Sequence, residues 1–392
     1  MPQIKIFLLI NSLSHGGTEQ IISTLSTQLS QDFDIQVVTL SGNGEVHYDT
    51  GKPPIPLYVG KKDASKIKKL IVSFIRYIQI IIKERPDVIL SSHPETNLLN
   101  LTTYKFLGVK AIISIHEYPY QEFPVRRAVA RLVRYIGDCV VVVSSGLKDL
   151  LCTEFLVNSE MITVIYNPVE VNRFISSTNF TETPRQLIPA TSHATFFNTE
   201  KHILINIGNP SHVKGQWHLI RIFRELQKTH PSKLIICGDG SLSDYLKDMV
   251  SHYDLGKDVL FSGKVDDVQP YLRSSDVFVL SSLSEGFGIV LVEALACGCP
   301  IVASDCPFGP REILENGKNG LLCTAQTDEY PDFDAPLTDS EKDMLEKITL
   351  LLENPELRKS LSENGIERAK DFRPEIACKK YEDVIHAVLS EK

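Results

Sequence analysis

The chain has 392 residues, with 43% hydrophobic and 23% charged, so it exceeds one ordinary core and is too apolar for wholesale disorder. Its net charge of −8 argues against a dedicated nucleic-acid binder. The charge is uneven: residues 1–170 hold 17 basic and 16 acidic side chains, and the remainder carries −9.

In chain order, "IKIFLLI" (4–10) reads as a strand rather than a leader, because it is short and lacks a small-residue cleavage site. A glycine turn, "SHGG" (14–17), opens a helix with Ile21, Ile22, Leu25 and Leu29 on one face. Further strands are expected at 34–40, 87–92, 111–117, 139–145 and 161–167. "LIVSFIRYIQIII" (70–82) is interrupted by Arg76 and too short to span a bilayer. The second half repeats the alternation, with strands at 202–208, 233–238, 258–263, 276–282 and 300–305. Near-continuous apolar strands separated by helices imply parallel sheets covered on both faces. The fold class is therefore α/β, with two Rossmann-like doubly wound domains.

Residues 1–172 form the expected first domain and 202–373 the second, with a Ser/Thr/Pro-rich linker at 173–201. The amphipathic helix 374–390 is expected to pack back on the first domain. The acidic stretch 325–342 reads as an irregular surface loop. Eight cysteines in apolar text suit reduced, buried thiols, and Cys297, Cys299 and Cys306 match no zinc spacing. The chain reads as cytosolic, with membrane contact at most peripheral. Two basic clusters, 61–69 and 126–134, are either solvated helix faces or a docking surface for anionic lipid.

Open parallel sheets bind ligands at the carboxyl ends of their strands, where glycine loops bring backbone N–H groups to phosphate. In "SEGFGIVLVEALACGCP" (284–300), Glu285 falls in such a turn and Glu293 inside the following helix. Gly286 and Gly288 permit close backbone approach. Two carboxylates can accept hydrogen bonds from sugar hydroxyls, although a helix-start charge and a solvated helix residue would look the same.

This segment resembles the Glu-x7-Glu motif of family 4 glycosyltransferases, retaining enzymes of the GT-B fold. The resemblance runs through "SHGGTEQ" (14–20), "ISIHE" (113–117), "VIYNPVEVNRF" (164–174), "IGNPSHVKGQ" (207–216), "CGDGSL" (237–242) and "SDCPFGPREIL" (304–314). It is similar to the branch that builds bacterial lipopolysaccharide, capsule and lipid-linked oligosaccharides. The resemblance implies that Glu293 holds the donor ribose. Glu285, with the backbone of Gly286, Phe287 and Gly288, would face the donor sugar. Lys214 would neutralise the diphosphate, Gly16 and Gly17 would approach the phosphates and acceptor, Gly263 and Lys264 would meet the nucleobase, and His116 would contact the donor sugar and reacting centre. Most relatives carry an arginine where this chain has Asn209, so Arg311 or His212 is expected to supply the missing cation.

The implied reaction transfers a hexose or N-acetylhexosamine from a nucleotide-diphosphate sugar, expected to be a UDP-sugar, to a lipid-linked saccharide or polysaccharide precursor. No metal or other cofactor is expected, because "VDDV" (265–268) reads as a helix cap. The competing readings are a nucleotide-sugar epimerase or phosphorylase on the same fold, a Rossmann oxidoreductase, and a catalytically idle sugar-nucleotide-binding protein.

Overall fold

A computed structural model describes residues 3–14, 16–41, 48–59, 66–117, 124–135, 138–175 and 194–390. The chain divides into two compact units, residues 1–168 with 374–392, and residues 169–373. Each is a parallel α/β sheet, as the strand pattern predicts.

The first unit holds β1 (Ile4–Ile10), α1 (Gly17–Gln28), β2 (Phe33–Ser41), β3 (Ile55–Tyr58), α2 (Lys66–Glu84), β4 (Val88–Ser91) and α3 (Pro94–Leu107). It continues with β5 (Lys110–Ile115), α4 (Pro124–Leu132), β6 (Cys139–Val142), α5 (Ser145–Glu154) and β7 (Ile162–Val164). The strand order is β3-β2-β1-β4-β5-β6-β7, with parallel pairing throughout. The chain reverses direction across the sheet at β1 and β4, which places a binding edge at their carboxyl ends.

Alternation along β1 shows why both faces must be covered. Ile6, Leu8 and Ile10 join the core built with Ile21, Ile22 and Leu25 of α1. Phe7 and Leu9 point into a second cluster with Tyr77 and Ile81 of α2. The carboxyl-terminal helix enters the first of these cores through Ala377, Tyr381 and Ile385.

The second unit begins with α6 (Val171–Ile175), α7 (Ala194–Phe197), β8 (His202–Ile207), α8 (Gln216–Leu226), β9 (Ser232–Cys237), α9 (Ser243–His252), β10 (Val259–Gly263) and α10 (Gln269–Arg273). It continues with β11 (Val277–Leu280), α11 (Ile289–Ala296), β12 (Ile301–Ser304), α12 (Pro310–Ile313), β13 (Leu321–Cys323), α13 (Asp339–Glu353) and α14 (Pro355–Ala369), and α15 (Pro374–Ser390) returns to the first unit. The sheet order is β10-β9-β8-β11-β12-β13, again parallel.

Several expectations need correction. The first unit ends at Pro168 rather than 172, because Val169 N donates to Phe372 O and α6 packs on α11. The ends of the expected linker, at α6 and α7, are helical, and residues 176–193 lie outside the described residues. The short strands β3 and β13 were not anticipated.

The expected irregular surface loop at 325–342 is found over 325–338, with α13 beginning at Asp339. What the sequence does not show is that this loop is strapped to α8. The buried Arg221 guanidinium donates to the carbonyls of Asp332, Phe333, Ala335 and Pro336. The same side chain pairs with Glu341, which is 0% exposed at the start of α13. His218 bridges Glu341 Oε1 and Thr327 O, both at 2.8 Å. Tyr330 stacks on Trp217 with ring centroids 4.3 Å apart.

Candidate functional site

The carboxyl edge of the second sheet is assembled from bare backbone. After β8, Gly208 N donates to Cys237 O at 2.8 Å, and after β9, Gly238 N donates to Gly263 O at 2.8 Å. A Cβ on Gly238 would stand 2.5 Å from Gly208 O, and one on Gly240 would stand 2.3 Å from Pro210 O. These glycines therefore bring three strand-end turns into contact, as no larger residue could. Gly263 has φ +67 and closes β10, with exposed Lys264 following it.

Lys214 ends a short 3-10 turn, His212–Lys214, whose position is pinned to the end of β11. Leu283 N donates to Val213 O, and Ser281 Oγ donates to Lys214 O. The lysine stem lies over Gly208, and Nζ reaches Glu285 Oε1 at 2.6 Å. Ser282 Oγ donates to the same oxygen at 2.6 Å. The Glu285 side chain is 8% exposed and that of Lys214 24%, so the pair is only partly screened. The structure thus joins two sequence candidates, 71 residues apart, in one ion pair.

Gly288, at φ +96, caps α11, whose first N–H groups have no partner within the helix. The Phe287 side chain is 2% exposed and packs edge-on against Phe372, which leaves the expected donor contact to its backbone. Glu293 sits one turn into α11. Burial pushes its carboxyl up to about 7; Asp267 adds to the shift and Arg173 opposes it. Asp267 also accepts from Gln269 N at 3.1 Å, the capping role expected of "VDDV".

Neither expected substitute for the missing arginine is idle. Arg311 is ion-paired with Asp305. His212 lies 5.5 Å, centroid to centroid, from both Trp217 and Tyr330. Asn209 itself is exposed beside Gly208.

The remaining candidates belong to the first unit. Gly16 exchanges hydrogen bonds with Tyr48 Oη, and a Cβ there would collide with the Glu19 carboxyl. Burial raises the pKa of Glu19 above the ordinary glutamate value. Gly17 begins α1. His116 follows β5, is 8% exposed, and holds Ser114 Oγ at 2.8 Å through Nε2. Burial pushes it down to about 3, with His93 adding and Asn167 opposing, so the ring is neutral. It can share a hydrogen bond with a ligand, but it brings no charge to phosphate. Ser92, Asn97 and Glu19 were not singled out from the sequence, where nothing distinguishes them from ordinary helix-start residues.

Of the basic clusters, 61–65 lies outside the described residues, and 66–69 is helical within α2. In the other cluster Arg126 pairs with Glu117, Arg127 lies over the Phe155 ring and Arg134 over Tyr135. Among the described residues no group of three or more His, Cys, Asp or Glu could hold a metal ion, and no helix is long and apolar enough to cross a membrane.

Comparison with known proteins covers both units. Residues 15–173 match the model "Glycosyltransferase Family 4", and residues 189–368 match "Glycosyl transferases group 1". The amylovoran biosynthesis glycosyltransferase AmsD of Erwinia amylovora is 25% identical, covering 97% of this chain and 99% of that protein. The N-acetylgalactosamine-N,N'-diacetylbacillosaminyl-diphospho-undecaprenol 4-alpha-N-acetylgalactosaminyltransferase of Campylobacter jejuni is 24% identical, covering 94% and 95%. Anabaena HepE, solved in complex with UDP-glucose, superimposes with a TM-score of 0.79 at 18% identity, covering 98% of this chain and 99% of that one. With the two family models in succession and two parallel sheets beneath them, the chain belongs to the group 1 and family 4 glycosyltransferases and has the GT-B fold.

Proposed function

We infer that the protein is a retaining glycosyltransferase. It moves a hexose or N-acetylhexosamine from a UDP-sugar to a hydroxyl of a lipid-linked saccharide or polysaccharide precursor. The observation that carries this reading is the Lys214–Glu285 pair at the carboxyl edge of the second sheet, beside the free N–H groups of α11. Without ligand, Glu285 neutralises Lys214. A diphosphate arriving at the helix start takes over the ammonium, and Glu285 is released toward the sugar hydroxyls. Charge growing on the diphosphate as the glycosidic bond breaks is then met by Lys214 and backbone N–H groups. Glu293 accepts from the ribose hydroxyls.

The acceptor oxygen bonds to the anomeric carbon on the face the diphosphate leaves, and the acceptor proton passes to the departing phosphate oxygen. No carboxylate nucleophile is required, and the lysine-and-helix grip substitutes for a metal. The donor class is supported by the UDP-glucose bound to HepE. The acceptor class is supported by the Campylobacter and Erwinia relatives.

Docking on an anionic cytosolic leaflet belongs to the same reading. Helix α2 exposes Ile71, Phe74, Ile75 and Ile82, and its sequence carries five basic residues against one acidic. An apolar face flanked by Lys and Arg suits a bilayer interface. Phe74→Asp with Ile75→Asp should reduce pelleting with phosphatidylglycerol vesicles, and unchanged pelleting would remove α2 from the reading.

The test of the reaction is a nucleotide-sugar panel with lipid-linked acceptors, following nucleotide release. Release should require acceptor and persist in EDTA. An epimerase would convert the donor alone, and an idle binder would release nothing.

A further inference from the structure

The turn that carries Lys214 is gripped from two sides. On one side the end of β11 holds its backbone, through Val213 O and Lys214 O. Gly215 has φ +57, and a Cβ there would stand 2.5 Å from Ser281 O, so the turn is seated directly on that strand end. On the other side lies the 325–338 strap, which runs along α8 in the helix's own direction. Thr327 O and Glu329 O meet the start of the helix at His218 Nε2 and Trp217 Nε1, at 2.8 and 3.1 Å. Asp332 O meets Arg221 one turn later, and the Asp334 carboxylate meets Arg224 beyond it.

The two halves of the strap are held by different means. Residues 332–336 are fixed by the buried Arg221 guanidinium and by the Phe333 ring, which packs on the core of the second unit. Residues 327–330 extend past that anchor to the Lys214 turn. Tyr330 stacks on Trp217 with ring centroids 4.3 Å apart and meets the His212 ring at 5.5 Å. His212 Nε2 faces Asp328 O at 3.4 Å, and a carbonyl only accepts, so Nε2 donates. His212 opens the 3-10 turn, and its own carbonyl accepts from Gly215 N at 3.2 Å, with Lys214 enclosed between them. A ring two places before the lysine is thus packed against the strap. Tyr330 remains 46% exposed, so its own burial gives it only a modest share in holding the strap down. What its ring does touch is the turn and the start of α8.

We propose that the strap is a brace for Lys214: Tyr330, through His212 and Trp217, keeps the His212–Lys214 turn pressed to the end of β11 and so holds Nζ where the diphosphate gathers charge. Tyr330 is then a positioning residue that acts through Lys214 and touches no substrate. The proposal rests on the glycosyltransferase reading for the role of Lys214, and goes beyond it by giving 327–330 a part in the reaction. An ammonium held from both sides keeps its place as bonds break, and a misplacement of about 1 Å can cost about 100-fold in rate.

Amide hydrogen exchange of the ligand-free protein reads the brace directly. In Tyr330→Ala, exchange over 211–215 and at Leu283 N should speed up by about 5-fold or more, while α11 keeps the wild-type rate. Tyr330→Phe, which keeps the ring, should exchange like wild type. His212→Ala changes an exposed residue and should reproduce the faster exchange, so the reading survives if Tyr330→Ala fails to fold. Trp217 is the chain's one tryptophan, and its emission should shift to the red in Tyr330→Ala and not in Tyr330→Phe.

Turnover with a UDP-sugar and a lipid-linked acceptor reads the link to the reaction. Tyr330→Ala should lower kcat by about 10-fold and change KM by less than about 3-fold, because a displaced charge is missed most as the diphosphate leaves. Tyr330→Phe should restore kcat to within about 2-fold of wild type. In a Lys214→Ala background, Tyr330→Ala should change kcat by less than about 2-fold, since the lysine it serves is gone, whereas a merely structural tyrosine would cost the same in both backgrounds. If exchange over 211–215 is unchanged in both alanine variants, the brace is overturned whatever the turnover. If exchange rises but kcat is unmoved, or the costs of Tyr330→Ala and Lys214→Ala add, the positioning role is overturned. If exchange rises and no nucleotide sugar is turned over, the transfer reading falls and the brace on Lys214 stands.

Discussion

Two buried polar clusters, one in each unit, are completed in opposite ways. Around Glu341, the cationic Arg221 and the ring of His218 meet only protein acceptors, four backbone carbonyls and Thr327 O among them. Beside His116, Ser92 Oγ and Asn97 Oδ1 each stay without a protein partner. Both clusters lie deep enough for unmet polarity to be costly. The difference separates two purposes. The first closes on itself and fixes a segment of chain. The second leaves polar atoms unmet at the carboxyl ends of β4 and β5. A buried charge is therefore not by itself a sign of function.

The strongest way to break this contrast is at Glu341. Glu341→Leu leaves Arg221 buried without its counter-charge, and urea unfolding should show a loss of about 3–5 kcal/mol. A loss near zero would mean that the network does not hold 327–336 in place. Next in size is Lys214→Ala. Transfer should fall by about 10²–10³-fold, while the urea midpoint moves little, because Glu285 keeps its bond from Ser282.

Glu293 gives a smaller, pH-dependent effect. Its folded pKa of about 7 stands above the ordinary glutamate value. The folded state therefore holds this proton more tightly than the unfolded chain. The group weakens the fold progressively as pH rises from about 4.5 to about 7, and the penalty stays constant above that. Glu293→Gln should accordingly be more stable than wild type by about 1–3 kcal/mol at pH 8 and equal to it near pH 4, by thermal unfolding without ligand. Donor affinity of the wild type should rise through pH 7 as the carboxylate forms, and the glutamine variant should lack that rise. The smallest effect is expected at Arg311. Its guanidinium is 59% exposed and engaged by Asp305, so Arg311→Ala should change turnover by less than about 3-fold. A larger loss would restore it as the stand-in for the arginine absent at Asn209.

The architecture was readable because β1, β6 and β12 are apolar runs too short for helices, spaced by amphipathic text. The strands β3 and β13, four and three residues long at sheet edges, carry too little pattern to be seen. The Glu285 and Glu293 spacing placed one carboxylate in a turn and the other in a helix, where both are found. Their electrostatics were not legible. Glu285 acquires Lys214 only when the turn after β8 folds against the end of β11, and Glu293 meets the charges of Arg173 and Asp267 only when α6 and the turn before α10 come near. The anchoring of the 325–342 loop was not legible for the same reason, since Arg221 lies 120 residues before Glu341. Unmet polar atoms such as Asn97 Oδ1 have no sequence pattern at all, being defined by what fails to reach them.

The most direct test of the account is acceptor-dependent release of UDP in EDTA, measured for wild type and Lys214→Ala, with the product's anomeric configuration read by NMR. The account predicts release by wild type only when acceptor is present, retention of configuration, and loss of release in the variant. Inverted product, release that ignores the acceptor, or a Lys214→Ala enzyme as fast as wild type would contradict it.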